Sequence, residues 1–221
     1  FVKPSEQILG YHSEWNLGSP GGWDYQRVTQ EISKAVWAQL FEGRDIGFQL
    51  DFDNPLMAPV NGLVDLLVET HREREGEKPG LILVAAEEET LEDVEENKNL
   101  ARLLDRVEGM SGALAAPQYL ETVNGRVCYK GQPVSVIFMD FNTDVLLSLH
   151  EKHDLTPMLQ AVREGRVMNP RGTEPINSKA MFEIVTDPEV NLVFHKETVD
   201  RTPWTRRFFK RSTIGPDGQI I

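Results

Sequence analysis

The stretch "LILVAA", residues 81–86, decides the fold. It is a short apolar run with no polar residue in alternation. A strand with one wet face alternates, whereas a parallel strand covered on both faces does not. The next segment, "EEETLEDVEENKNLARLLDRVEG" (87–109), has helical periodicity, with Val94, Leu100, Ala101, Leu104 and Val107 on one side. A second unbroken run, "VSVIFM" (134–139), has the same character as the first. Between them Asn124-Gly125 marks a hairpin, because both central residues of a type I′ turn need positive φ. This order predicts an α/β fold, with "LILVAA" and "VSVIFM" as adjacent or nearly adjacent parallel strands in a mainly parallel sheet flanked by helices.

Working outward, "WDYQRVTQEISKAVWAQLFEG" (23–43) reads as a helix capped by Asp24 or the glycine before it. Its expected inward stripe is Tyr25, Val28, Ile32, Ala35, Val36 and Leu40. "GFQLDF" (47–52) reads as a short strand. A second helix comes after the Asn54-Pro55 break, carried by Met57, Val60, Val64 and Leu67. Helices are expected near 143–152 and 155–164, the second ended by Gly165. "RVMNP" reads as a short strand, "NSKAMFEIVTD" as a helix capped by Asn177 or Ser178, and the last residues as a strand and turn.

Composition excludes several classes. The chain has 221 residues, 40% of them apolar, with four Trp and ten Phe, enough for a substantial core. No apolar run reaches the roughly 18 residues of a membrane span, and "FVKPSEQ" has no signal-peptide pattern. A net charge of −12 opposes general nucleic-acid binding, which needs a basic surface. The single Cys128 permits no internal disulfide and points to a reducing compartment, so a cytoplasmic location is expected.

The chemistry of interest lies in "GYHSEWNLGSPGGWDY" (10–25). Strand alternation through "QILGYHSEWN" places Ile8, Gly10, His12, Glu14 and Asn16 on one face. Side chains at i and i+2 stand about 6–7 Å apart, so Glu14 and Asn16 can share a hard divalent cation such as magnesium. In the "LGSPGG" loop, Ser19, Gly21 and Gly22 let backbone N–H groups approach an anion, as does the start of the adjoining helix. Taken alone, the same residues also read as a solvated strand end and a turn.

Order along the chain adds to this. "SEWNLGSPGG" resembles the E-x-N stretch and small-residue loop of ATP-grasp ligases of the glutathionylspermidine synthetase type, and of the related circularly permuted ATP-grasp proteins. The resemblance continues in order through "ENKNLARLL", "VNGRVCYKGQPVSVIFMDF", "LQAVREGRVMNP", "INSKAMFEIVTD" and "RTPWTRRFF". It implies a Rossmann-like pre-ATP-grasp domain with partial segments of an ATP-grasp core. It also implies ATP and magnesium as cofactors, with Glu14 and Asn16 ligating the metal. The implied activity is joining a small-molecule carboxylate, through an acyl phosphate, to an amine, thiol or peptide. The corresponding division is 1–42 as a piece of the ATP-grasp core, 43–190 as the pre-ATP-grasp domain, and 191–221 as the entrance to the nucleotide-binding domain.

The chain departs from the family pattern in three places. Phe1 leaves no room for the Arg-x-Asp pair that often precedes E-x-N. Met139 and Asp140 stand where relatives carry arginine-rich residues, which argues against anion binding there. The family's nucleotide-gripping lysines would lie beyond Ile221, so the expectation is a portion of a longer protein, inactive on its own. Lys179 falls at the family's nucleotide-domain entrance, and reads equally as a surface lysine. Arg206 and Arg207 beside Trp204 suit a phosphate or carboxylate, and suit core-edge packing better. His71, His150, His153 and His195 show no ligand spacing, and Cys128 has no patterned base. The alternatives to a ligase are a non-catalytic pre-ATP-grasp module that binds a substrate or partner protein, and an unrelated α/β binding domain.

Overall fold

The computed structural model describes residues 14–15, 18–47, 51–52, 59–169, 174–207 and 209–221. The expected opening strand apart from Glu14 and Trp15, residues 48–50 of "GFQLDF", and Met57 therefore lie outside the described residues, as do His12 and Asn16. The chain divides into two compact units, residues 18–171 and residues 1–17 with 172–221. The first helix thus counts with the sheet.

In the larger unit, helices α1 (Trp23–Phe41) and α2 (Pro59–Glu75) precede strand β1 (Gly80–Ala86). Helix α3 (Glu95–Leu104) leads to β2 (Met110–Ala115), and the hairpin β3 (Leu120–Val123) and β4 (Arg126–Tyr129) leads to β5 (Gln132–Asp140). Helices α4 (Thr143–Lys152) and α5 (Thr156–Arg163) come next. The five strands lie in the order β2-β1-β5-β4-β3. The two apolar runs are parallel neighbours, with Leu83 opposite Ile137 and Val84 opposite Phe138. The sheet is mixed rather than mainly parallel, because β4 joins β5 antiparallel and β3 extends the hairpin. Asn124 (φ 50°) and Gly125 (φ 76°) form the turn their pairing predicts.

Burial on both faces explains the unbroken apolarity of β1. Ile82, Val84, Val136 and Phe138 pack against Leu67 and Val68 of α2 and Leu100 and Leu104 of α3. Leu81, Leu83, Ile137 and Met139 point the other way, into Leu146 of α4 and Leu155, Met158 and Ala161 around α5. Each fully buried large aliphatic side chain contributes about 1.5–3 kcal/mol, so this double layer is the main source of the unit's stability. Cys128 is buried in β4.

Elsewhere in the larger unit the sequence reading and the structure differ in four further places. Strand β2 has no counterpart in the sequence reading; it pairs parallel with β1 from Gly80–Met110 to Ala85–Ala115. The helix expected over 87–109 is confined to Glu95–Leu104, after a 3-10 turn at Glu88–Thr90 and an extended Val94 (φ −91°, ψ 93°) that starts the helix afresh. Helix α1 turns its expected inward stripe outward: Tyr25, Val28, Ile32, Ala35, Val36 and Leu40 are exposed. Its orientation is fixed instead by buried Trp23 and Asp24, and Trp37, tilted against Phe41 of the same helix, approaches Phe52. "RVMNP" contributes one parallel bridge, Val167 to Ile137, rather than a strand.

In the smaller unit, helices α6 (Glu174–Asn177), α7 (Met181–Thr186) and α8 (Lys196–Asp200) are short. The single helix expected over 177–187 is split by a turn in which Met181 N–H donates to the Ser178 carbonyl. Ala180, not Asn177 or Ser178, caps α7. The last residues turn back through Asp217 and Gly218, with Thr213 and Ile221 exchanging backbone hydrogen bonds. No helix among the described residues is long and apolar enough to cross a membrane.

Candidate functional site

The sequence-predicted residues fall on both units. Glu14, Lys179 and Arg206 belong to the smaller one, and Ser19, Gly21 and Gly22 to the larger. Asn16 lies outside the described residues.

In the smaller unit the structure joins two of them. Lys179 sits in the turn between α6 and α7, and its Nζ meets Glu14 Oε1 at 3.1 Å. The next residue after Glu14 anchors this arrangement, since Trp15 packs edge-on against Phe182 with ring centroids 4.9 Å apart. Both charged side chains are about half exposed or more. Such a pair stabilises by roughly 0–1 kcal/mol, so little opposes its separation by a ligand.

Arg206 is differently placed. Its guanidinium lies 5.0 Å over the Trp204 ring and donates to Thr213 and Thr186 hydroxyls at 2.8 and 2.9 Å. Further donations reach the Thr205, Thr186 and Ile214 carbonyls. With its fork spent on the protein, Arg206 ties α7 to the terminal turn. It also lines a cavity of about 560 Å³ with Trp204, Arg207, Phe209, Lys210 and Arg211. Arg207 and Arg211 both bind Glu183, which is buried in α7. Burial alone would raise the Glu183 pKa; the Arg207 backbone N–H and the Arg211 and Arg207 guanidiniums outweigh it and hold the carboxyl at about 2. Lys210 is the cavity's one cation free of a partner among the described residues.

In the larger unit the glycine loop meets a carboxylate supplied by the chain itself. Gly22 caps α1 with φ 90°, and its N–H donates to Glu96 Oε1 at 2.8 Å. Asp24 N–H donates to Glu96 Oε2 at 2.9 Å. Glu96 is only 5% exposed, and Gly21 is close enough that an added Cβ would lie 3.5 Å from Oε1. The helix N-terminus attracts a negative charge, and here α3 provides one. Asp24 in turn accepts from Arg27 at 2.7 Å and Asn99 at 2.7 Å. Burial raises the Asp24 pKa, but these two bonds prevail and leave it lowered.

Around this anchor lies the carboxyl edge of the parallel strands. The chain leaves β1 toward β2 on one side, while β5 lies on the other, and open α/β sheets bind ligands at such a point. Asp140, the last residue of β5, accepts from buried Asn97 at 2.6 Å. Ser19 Oγ donates to Asn142 Oδ1 at 3.3 Å. Asn169 accepts from Met139 N–H at 2.9 Å and donates to the Met139 and Gly18 carbonyls. Sequence reasoning missed Glu96, Asn97 and Asn169. Glu96 and Asn97 open α3 and Asn169 follows the Val167 bridge, so the only signal was their place near the start of a helix and after a short apolar pair. Replacing Glu96 by Gln keeps one acceptor and removes the charge facing two N–H groups. The expected loss is about 1 kcal/mol of stability, read by urea unfolding; an unchanged midpoint would show that the cap contributes nothing.

Among the described residues no group of three or more His, Cys, Asp or Glu side chains is placed to hold a metal ion. Glu14 offers one exposed hard oxygen beside a lysine. That donor set fits magnesium only in its shared form, with phosphate oxygens and water filling most of the shell. No protein-family model matches the chain, and no curated protein matches it.

Proposed function

We propose that this chain is part of an ATP-dependent ligase that joins a small-molecule carboxylate to an amine or thiol through an acyl phosphate. Residues 18–171 serve as its Rossmann-like pre-ATP-grasp domain, and the smaller unit serves as the edge of the nucleotide site. The observation that carries the reading is the Glu14–Lys179 pair. These residues are 165 positions apart in sequence, the family resemblance singles out both, and they meet at 3.1 Å on an accessible surface. Carboxylate and ammonium are the two charges a metal–nucleotide complex needs. Glu14 supplies an oxygen toward the cation, with Asn16 as the second ligand, and Lys179 supplies a charge-assisted donor to phosphate oxygen. Exposure makes exchange of partners inexpensive. Magnesium, when bound, neutralises phosphate charge during transfer.

Glu14→Gln in the complete protein tests this. It removes a charge and preserves shape, so magnesium-dependent ATP turnover is expected to fall by about tenfold or more, the equivalent of about 1.4 kcal/mol. The unfolding temperature should stay unchanged. Asn16→Asp should be tolerated better, since it keeps a ligating oxygen. Unchanged turnover and unchanged magnesium dependence in Glu14→Gln would reduce the pair to a surface ion pair. One observation favours the second reading, a non-catalytic module for a substrate or partner protein: the Gly22 and Asp24 N–H groups are already taken by Glu96. Full folding stability with no nucleotide binding in the complete protein would select that reading.

A further inference from the structure

In the smaller unit, Arg206, Arg207, Lys210 and Arg211 line one cavity together with Trp204 and Phe209. We propose that this cavity binds a small aromatic phosphomonoester, its phosphate held by Arg207 and Lys210 and its ring laid against Trp204 and Phe209. The site stands apart from the ligase reading, since neither Glu14 nor Lys179 lines the cavity. Its volume of about 560 Å³ lies inside the roughly 300–1,000 Å³ of small-molecule sites, so it takes more than an inorganic ion. Among the described residues the only carboxylate paired with any of the four cations is Glu183. Three positive charges are therefore left without a negative partner, in a chain whose net charge is −12. A cleft lined by one sign of charge concentrates the opposite ion, and three charges suit a dianion better than a single carboxylate.

Arg207 supplies the phosphate clamp. Buried Glu183 accepts from the Arg207 backbone N–H at 3.0 Å and from its Nε at 2.9 Å. The guanidinium is thereby fixed along one edge, while Nη1 and Nη2 have no partner among the described residues. The side chain is 61% exposed, so this end of the fork is open to a ligand. Such a fork receives two phosphate oxygens at once. Lys210, exposed and without a partner among the described residues, adds a point charge in the same cavity. Arg206 and Arg211 contribute charge rather than donors. The Arg206 N–H groups are given to Thr186, Thr205, Thr213 and Ile214, and Arg211 is half-buried against Glu183.

The two rings set the ligand's body. Trp204 is 40% exposed and Phe209 55%. Each is held by a guanidinium, Arg206 at 5.0 Å from the Trp204 ring and Arg211 at 4.4 Å from the Phe209 ring, and the exposed surface that remains suits a flat aromatic partner. The Trp204 indole N–H donates to the Ile214 carbonyl at 3.1 Å. A ligand therefore meets its ring surface and not its donor, which favours an apolar ring over a polar one.

The test is a titration of the chain with phenyl phosphate, inorganic phosphate, benzoate and phenol at about pH 7.5, where a phosphomonoester is doubly charged. Binding is followed through the indole N–H signal of Trp204. Phenyl phosphate is expected to move that signal and to bind about tenfold or more tightly than any of the other three. Lys210→Ala is expected to weaken its binding about fivefold with the unfolding temperature unchanged. Phe209→Ala is expected to remove most of the preference for phenyl phosphate over inorganic phosphate, without changing the affinity for inorganic phosphate. Inorganic phosphate binding as tightly as phenyl phosphate would mean ion attraction alone and would overturn the proposal. So would benzoate or phenol of equal affinity, a Trp204 signal that no compound moves, or affinities that neither variant changes.

Discussion

Gly112→Ala is expected to destabilise the larger unit by about 3 kcal/mol, at the upper end of what overpacking usually costs. Gly112 lies in β2, where the strand passes directly under α3. A Cβ on it would collide with the Ala101 carbonyl and lie 2.9 Å from Leu104 Cβ. The first obstacle is helix backbone, which cannot rotate away as a side chain can. Either α3 lifts from the sheet, exposing Leu100 and Leu104, or β2 shifts against β1 and its ladder loosens. For a unit of this size the change corresponds to a fall in unfolding temperature of about 10 °C. Thermal unfolding of wild type and Gly112→Ala measures it directly; a fall of only a degree or two would mean that β2 is not held tightly against α3.

The same glycine explains why β2 was illegible in the sequence while β1 and β5 were plain. A central strand covered on both faces must be apolar at nearly every position, and that requirement is written into "LILVAA" and "VSVIFM", whose one polar residue, Ser135, is buried with its hydroxyl bonded to the Leu81 carbonyl. Strand β2 is an edge strand whose inner side meets helix backbone, so closeness selects small residues. "MSGALA" therefore has neither alternation nor β-branched side chains. Helix α1 shows a different limit. Periodicity identified an apolar face, but which face packs is decided by Trp23, Asp24 and Trp37, and by Glu96 holding the helix start from 72 and 74 residues away. At the candidate site, residue types drew attention to Glu14 and Lys179. Their pairing depends on how the turn after α6 is placed beside Trp15 and Phe182, which no local spacing records.

Acid should weaken the smaller unit, and the responsible group is Glu183. Its carboxyl is 6% exposed and is held by Arg207 from backbone and side chain at 3.0 and 2.9 Å, and by Arg211. Because its folded pKa lies near 2, against an ordinary value of 4.5, the unfolded state binds a proton first as pH falls. The stabilisation is therefore fully present above about pH 4.5 and is lost progressively toward pH 2. A displacement of that size is worth at most about 3 kcal/mol. Arg207 is 61% exposed, and solvent screening of that partner brings the expected contribution to about 2 kcal/mol. Glu183→Gln keeps the side chain's shape and removes the titration, so the variant should be less stable at neutral pH by about that amount. It should also lack the acid-dependent loss. Urea unfolding of both proteins at a series of pH values, monitored by Trp204 fluorescence with Trp15, Trp23 and Trp37 replaced by Phe in both, makes the comparison. The two curves are expected to converge only as pH falls through about 2, as protonation of Glu183 makes wild type resemble the variant. Curves that stay parallel across the whole range would show that the Arg207–Glu183–Arg211 cluster is solvated in solution and does not hold α7 to the terminal turn.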